Sequence, residues 1–140
     1  MKVGIVGLGL IGGSIGLKLK DLYDNITVYG YDIDYKSFSY CLKNKIIDVK
    51  FVVEFISELD FIFLAIPVDS IKNQLSDYLN KTSDKTLIID LGSTKFQICN
   101  SVENNQNRKN YLAAHPIAGT EFSGPHSAKK DLFNDKVMIL

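Results

Sequence analysis

The sequence predicts an α/β fold in which a doubly wound, mainly parallel sheet carries helices on both faces. Short apolar, β-branched runs alternate with amphipathic stretches along the chain, which is the pattern of repeated strand–helix–strand units. The runs are apolar on both faces, as in strands that helices cover on either side. The 140 residues, 46% hydrophobic and 23% charged, are enough for one domain with its own core.

The first half of the chain predicts four strands, separated by turn residues and amphipathic stretches. Asp32 and Asp34 end the second strand, and Pro67 ends the clearest one. Segment 44–58 is ambiguous and allows only a short strand. The predicted elements are a strand at 1–6, a helix from the glycines to residue 22, a strand at 26–31, a helix at 35–42, a short strand near 49–52 and a strand at 60–66.

The second half continues the alternation and ends on an isolated strand. Asp69 is expected to cap the third helix. Because the last strand stops with no turn after it, we expect the 140 residues to be one domain of a longer chain. The predicted elements are a helix at 69–79, a strand at 86–90, a helix at 94–102, a solvated loop at 103–110, a strand at 111–114, an aperiodic loop at 115–125, a helical turn at 129–133 and a strand at 136–140.

Charge and cysteine content exclude several classes of protein. Sixteen basic residues balance sixteen acidic ones, so no basic surface for nucleic acid is expected. Arg108 is the only arginine, which argues against a side-chain site for a polyanion. Cys41 and Cys99 lack a CxxC spacing and favour reduced thiols in a cytoplasmic protein, with one disulfide as the alternative.

No segment predicts export or membrane insertion. The apolar run 3–17 follows Lys2 as in a signal peptide, but it contains six glycines and Ser14 and leads into charged residues. No other apolar run is long enough to cross a bilayer. The expected protein is soluble.

The segment Gly7-Leu8-Gly9-Leu10-Ile11-Gly12 has the spacing G-x-G-x-x-G, directly after a predicted strand and at the start of a helix. Gly7 permits the tight turn, Gly9 lets the backbone approach a pyrophosphate, and Gly12 lets helix and strand pack closely. The phosphates would lie at the helix N-terminus beside Leu10 and Ile11. A Rossmann-type dinucleotide site therefore needs few arginines.

An acidic residue completes this fingerprint. Asp32 lies 20 residues past Gly12, at the end of the second predicted strand, where a carboxylate binds ribose hydroxyls. It would repel a 2′-phosphate and no arginine is near, so NAD is favoured over NADP, with Lys36 the one nearby basic residue. The alternative is a glycine-rich turn that binds no ligand. We disfavour it because the motif follows a predicted strand, begins a helix and has its acidic residue at the expected spacing.

Ligands of such sheets bind beyond the carboxyl ends of the strands. Ala65, Pro67 and Val68 lie there and are predicted to contact the cofactor. Ser93 follows the next strand, where it fits both a helix N-cap and a hydroxyl that faces the crevice, and it too is predicted to contact the cofactor. Asp90 just before it is expected to stabilise the turn.

His115 is the candidate general base. It follows an apolar strand and precedes a proline, and an imidazole can take a proton from a substrate hydroxyl near neutral pH. A histidine bonded to nearby backbone is the alternative. His126 is expected to be exposed and structural, and two histidines eleven residues apart without a cysteine do not predict a metal site.

The stretches VGIVGLGLIGGSIGLKLK at 3–20, DLGSTK at 90–95 and AHPIAGTEFSGPHSA at 114–128 resemble the nucleotide-binding half of the prephenate and arogenate dehydrogenases. The resemblance implies NAD-linked oxidative decarboxylation of prephenate to 4-hydroxyphenylpyruvate in tyrosine biosynthesis. It implies that His115 polarises the ring hydroxyl, that Ser93 orients His115 and the substrate, and that Thr120 and Glu121 line the pocket entrance.

The same resemblance implies a helical C-terminal domain, beyond these residues, that forms a homodimer and supplies basic groups for the substrate. The isolated domain is then expected to bind NAD with little or no turnover. Two other functions stay open. One is another NAD(P)-dependent dehydrogenase of the hydroxyacid type, which leaves the HPIAGTE stretch unexplained, and the other is a non-enzymatic module that senses NAD.

Overall fold

Six parallel strands form the central sheet of the protein, whose 140 residues are all described by a computed structural model. Along the chain the strands are β1 (Lys2–Val6), β2 (Thr27–Tyr31), β3 (Val49–Lys50), β4 (Phe61–Leu64), β5 (Leu87–Asp90) and β6 (Tyr111–Ala113). In space they lie in the order β3-β2-β1-β4-β5-β6, all parallel. This is the order of a doubly wound Rossmann fold, so the predicted fold class is confirmed.

Four helices cover the two faces of the sheet. They are α1 (Leu10–Leu22), α2 (Tyr35–Lys43), α3 (Val68–Leu79) and α4 (Phe96–Ser101). Ile15 of α1 and Cys41 of α2 are buried with Ile5 of β1 on one face. Ile71 of α3 and Ile98 of α4 are buried with other strand residues on the opposite face. None of the helices is both long and apolar enough to cross a membrane.

The starts of two helices differ from the prediction. The backbone of Pro67, not Asp69, precedes α3, and Asp69 lies in the first turn without capping it. Helix α4 begins only at Phe96, so Ser93 is not its N-cap. Helix α3 thus begins one residue before its predicted cap, Asp69, and helix α4 begins three residues after its predicted cap, Ser93.

The polar segment 103–110 is more ordered than the predicted solvated loop. It ends in a 3₁₀ turn, Arg108–Asn110, and the Asn110 side chain is buried. The Asn110 amide donates to the carbonyl oxygens of Ser83 at 2.9 Å and Thr86 at 2.7 Å. The side chain thus satisfies buried backbone acceptors just before β5.

The last predicted strand does not join the parallel sheet. Two-residue strands β7 (His115–Pro116) and β8 (Met138–Ile139) instead form a separate antiparallel ribbon. The chain reverses direction between residues 117 and 137, so β8 runs antiparallel to β7. Residues 130–135 form turns, where a helical turn at 129–133 was predicted, and the Ile117 N–H donates to the Val137 carbonyl at 2.9 Å.

Both cysteines are free thiols, as predicted. Cys41 is fully buried beneath the glycine loop, and its burial raises the pKa of the thiol to about 12. Cys99 is only partly buried. We therefore expect a thiol reagent to modify Cys99 in the native chain and Cys41 only after unfolding, as mass spectrometry of the labelled peptides would show. Equal labelling rates in the native chain would contradict this packing.

Candidate functional site

The turn after β1 has a backbone that only glycine adopts comfortably. Gly7 has a φ of +91°, and a Cβ added to it would lie 2.3 Å from the carbonyl oxygen of Ala65. The Gly7 N–H donates to the Tyr31 carbonyl at 2.8 Å, which ties the turn to the end of β2. The turn is therefore held between two strands with no room for a side chain.

The other two motif glycines have different surroundings. A Cβ on Gly12 would lie 1.9 Å from the carbonyl oxygen of Gly7, so only glycine lets α1 pack this closely on the turn. A Cβ on Gly9 would meet nothing within 4 Å. Gly9 thus borders open space, which is where a ligand could approach the backbone.

The N-terminus of α1 fits an anionic ligand. Gly9 precedes the helix without a side-chain cap, and the first turn contains no acidic residue. The first backbone N–H groups, including those of Leu10 and Ile11, therefore have no intrahelical acceptor and point toward the open space. Such a terminus binds phosphate through N–H donors and the helix dipole.

Asp32 lies directly after β2 and braces the glycine turn. One carboxylate oxygen accepts the Leu8 N–H at 2.7 Å, and the other accepts the Asp34 N–H at 2.8 Å. The side chain is half-buried, and each oxygen keeps a further lone pair for a ligand hydroxyl. Arg108, the one arginine, lies far away and stacks on Tyr111 beside the opposite edge of the sheet.

A cavity of about 240 Å³ opens at the carboxyl ends of β4 and β5, next to the first turn of α1. It brings together five residues predicted to contact the cofactor, although they come from three separate segments of the chain. Its lining comprises Ile11, Ala65, Ile66, Pro67, Val68, Leu91, Gly92 and Ser93. The cavity extends from the glycine loop toward β5, away from Asp32.

Asp90 holds the turn at the end of β5, as predicted, but through partners that the sequence did not indicate. The carboxylate is fully buried and accepts the Gly92 N–H at 2.9 Å. It also accepts hydrogen bonds from the Lys95 ammonium and from the Tyr111 hydroxyl at 2.6 Å. Burial and the adjacent Asp90 carboxylate raise the pKa of Tyr111 far above its usual range, so the phenol stays a donor.

His115 lies in β7, just beyond the carboxyl end of β6, and is half-buried. Its Nδ1 is buried without a hydrogen-bond partner. The histidine lines a cavity of about 350 Å³ together with segment 116–119 and Lys136. Lys136 was not predicted, because the pairing of β8 with β7 brings it there from a distant part of the chain.

The structure does not bring all the predicted substrate residues together. Ser93 and His115 share no hydrogen bond and line different cavities. Thr120 and Glu121 are exposed, and the Thr120 hydroxyl bonds with the backbone of Phe122. Neither Thr120 nor Glu121 lines the cavity of Ser93 or that of His115.

A strap formed by residues 124–129 crosses the start of α1. The Lys129 N–H donates to the Ser14 hydroxyl at 2.9 Å, and a Cβ on Gly13 would lie 2.9 Å from the Cβ of Ala128. His126 is exposed, as predicted, and its ring centroid lies 3.9 Å from that of Tyr40 in α2. The strap thus links the loop after His115 to the helix that follows the glycine motif.

Comparisons with known proteins identify the family of this chain. A family described as "Prephenate dehydrogenase, nucleotide-binding domain" matches residues 15–140. The prephenate dehydrogenase of Lactococcus lactis is 32% identical over 99% of this chain and 40% of its own length. The crystal structure of the Aquifex aeolicus prephenate dehydrogenase superposes with a TM-score of 0.86 at 31% identity, over 97% of this chain and 50% of that one.

Other solved structures have the same fold. The A. aeolicus enzyme in complex with hydroxyphenyl propionate and NAD⁺ gives a TM-score of 0.82 at 30% identity, over 99% of this chain and 49% of that one. The arogenate dehydrogenase of Synechocystis gives 0.85 at 25% identity, over 99% and 49% of the two chains. A 3-hydroxyisobutyrate dehydrogenase of Mycobacterium tuberculosis, 17% identical, shows the fold alone.

Three observations indicate a dinucleotide as the cofactor. They are the glycine turn, the uncapped N-terminus of α1 and the match to a nucleotide-binding domain. The chain spans between 38% and 48% of the length of the curated relatives that it matches. With 126 of its residues inside the family match, the chain belongs to the prephenate dehydrogenase family, as a nucleotide-binding domain.

Proposed function

We propose that this chain is the cofactor-binding half of an NAD-dependent prephenate dehydrogenase, which converts prephenate to 4-hydroxyphenylpyruvate in tyrosine biosynthesis. The observation that carries the proposal is His115, whose buried Nδ1 has no hydrogen-bond partner and which lines a cavity just beyond the carboxyl end of β6. A polar atom left without a partner in a folded chain is a candidate for contact with a ligand.

The proposed reaction assigns a separate task to each group. Nicotinamide, when bound, supplies the acceptor for a hydride. The hydride comes from the C–H bond of the substrate ring carbon that carries the hydroxyl. His115 takes the hydroxyl proton as that C–H bond breaks, acting as a general base. The ring carboxylate leaves as carbon dioxide, and its bonding electrons complete the aromatic ring. The resulting phenolate oxygen takes the proton back from His115, which gives 4-hydroxyphenylpyruvate and restores the neutral imidazole.

Other residues of the chain would bind and orient. Ser93 presents an exposed hydroxyl, without an intramolecular hydrogen bond, to the cavity between α1 and β5. Thr120 and Glu121 would border the substrate entrance once the substrate is bound. The basic groups for the two substrate carboxylates, and the homodimer interface, would come from a helical C-terminal domain of the full-length cytoplasmic protein.

The proposed preference for NAD over NADP depends on Asp32. Replacing Asp32 with alanine is expected to weaken NADH binding about tenfold, because the ribose loses a charged acceptor and the glycine turn loses its Leu8 brace. Calorimetric titrations with NADH and NADPH would measure both affinities. Asp24→Ala, in the exposed turn before β2, serves as the matched control. Equal or tighter binding of NADPH by the unmodified chain would contradict the assignment.

Arogenate is the second candidate substrate, favoured by the likeness to the Synechocystis arogenate dehydrogenase. The full-length protein should be mixed with NAD⁺ and either prephenate or arogenate, and NADH formation followed by absorbance. We expect turnover with prephenate. Turnover with arogenate alone would establish the alternative, and binding of NAD⁺ without turnover of either would favour a sensing module.

A further inference from the structure

Asp90 has a fully buried carboxylate at the end of β5, next to the cavity that Ser93 lines, and the proposed reaction gives it no task. Both carboxylate oxygens accept hydrogen bonds. The donors are the Gly92 N–H, the Lys95 ammonium and the Tyr111 hydroxyl. Burying a carboxylate away from water costs free energy unless hydrogen bonds and an opposite charge compensate for the lost solvation. The buried Asp90 side chain therefore requires these three donors.

Two of the three donors lie in the turn after β5 and the third lies on the neighbouring strand, so the carboxylate joins the turn to β6. Gly92 lies within the turn 91–95, Lys95 ends that turn before α4, and Tyr111 lies on the neighbouring strand β6. Space around the turn is also limited, because a Cβ on Gly92 would lie 3.1 Å from Asp90 Oδ1 and 3.2 Å from Val68 Cγ2. The turn is thus clamped from both sides.

Ser93 depends on this turn for its position. Its side chain is exposed and makes no hydrogen bond within the chain, so only the backbone of the turn directs it. The cavity that it borders begins at Ile11 and runs away from Asp32 on the β2 side. A dinucleotide with its adenosine ribose at Asp32 would therefore extend its other end toward Ser93.

We propose that Lys95 and Tyr111 are positioning residues that act through Asp90 to hold the turn 91–95, and with it Ser93, against the nicotinamide end of the cofactor. The inference rests on the proposed function in that it takes the ligand to be a nicotinamide dinucleotide. The same clamp reaches the strand that leads to His115, because the Ala114 N–H donates to the Asp90 carbonyl at 3.0 Å.

Comparing the binding of NAD⁺ with that of ADP-ribose distinguishes a role at the nicotinamide end from a general effect on cofactor binding. ADP-ribose contains the adenosine, the pyrophosphate and the second ribose of NAD⁺ but no nicotinamide, so its binding does not depend on contacts with the nicotinamide ring. In calorimetric titrations, Lys95→Met is expected to weaken NAD⁺ binding about tenfold and to leave ADP-ribose binding unchanged. Tyr111→Phe, which removes only the hydroxyl, should act in the same direction with a smaller change.

A double-mutant cycle with Ser93→Ala tests whether the effect passes through the serine. In the Ser93→Ala background, Lys95→Met should change NAD⁺ affinity little further, since the group that it positions is already missing. Lys85→Met and Tyr23→Phe are matched controls, because Lys85 is an exposed lysine without an ion pair and Tyr23 an exposed tyrosine. Both should bind NAD⁺ like the unmodified chain.

If Lys95→Met does not fold, because Asp90 is left without its ammonium partner, Tyr111→Phe and the double variant Asp90→Asn/Lys95→Met carry the test. Equal losses for NAD⁺ and ADP-ribose, no loss for either, or additive effects in the cycle would overturn the inference while the proposed function stands. Failure of the unmodified chain to bind NAD⁺ would instead overturn the proposed function, and this inference with it.

Discussion

Replacing Gly12 with alanine is expected to reduce dinucleotide binding by at least about 100-fold, the equivalent of two charge-assisted hydrogen bonds. The added Cβ would lie 1.9 Å from the Gly7 carbonyl oxygen and 3.0 Å from Ile5 Cγ2, both on the adjacent turn and strand. Helix α1 must therefore move off β1, which displaces the N–H groups that face the ligand. Such overpacking should also lower the free energy of unfolding by about 1–3 kcal/mol.

Gly9→Ala separates binding from stability. Gly9 has a φ of −74°, which alanine tolerates, and its added Cβ would meet no atom of the chain within 4 Å. We expect this variant to keep its free energy of unfolding within about 0.5 kcal/mol but to lose dinucleotide affinity, because the methyl group occupies the ligand's side of the turn. Denaturant titration and calorimetry measure the two quantities. Unchanged affinity in Gly9→Ala would show that the ligand does not approach this loop.

In the full-length protein, His115→Asn is expected to lower kcat by about 10²–10⁴, the range for a lost general base. Asparagine preserves a polar group of similar size but cannot take the hydroxyl proton. Because His115 lies beyond the glycine loop, NADH affinity should remain near that of the unmodified protein. Steady-state rates with prephenate, together with NADH titrations, would separate the two effects.

His126→Asn provides the matched control, since His126 is exposed and contacts Tyr40 in α2 rather than lining the cavity of His115. Its kcat should stay within a small factor of the unmodified value. A near-normal kcat in His115→Asn would remove this histidine from the mechanism. An equal loss in both variants would point to the strap 124–129 instead.

The fold and the cofactor loop could be predicted because their determinants are local. The glycine spacing, the apolar run before it and Asp32 at the next strand end all lie within the first strand–helix–strand unit. Right-handed crossovers then decide which face of the sheet each helix covers. Backbone conformation at Gly7 and the close packing at Gly12 agree with the roles predicted for them.

The surroundings of Asp90 and His115 could not be predicted in the same way. Tyr111 reaches Asp90 only because β5 and β6 pair in a particular register, and Lys136 reaches the His115 cavity only because β8 turns back on β7. Neither pairing leaves a pattern in the sequence. The cap prediction for Ser93 was wrong because the Asp90 clamp keeps the chain in a turn until Lys95, and local propensity does not include such a contact.

The central claim is that the glycine loop and Asp32 form the binding site of a nicotinamide dinucleotide, with NAD preferred. Calorimetric titration of the 140-residue chain with NADH, beside a parallel titration with NADPH, tests it most directly. We expect saturable binding of one NADH per chain and clearly weaker binding of NADPH. Absence of NADH binding by the folded chain, or equal or tighter binding of NADPH, would contradict the claim.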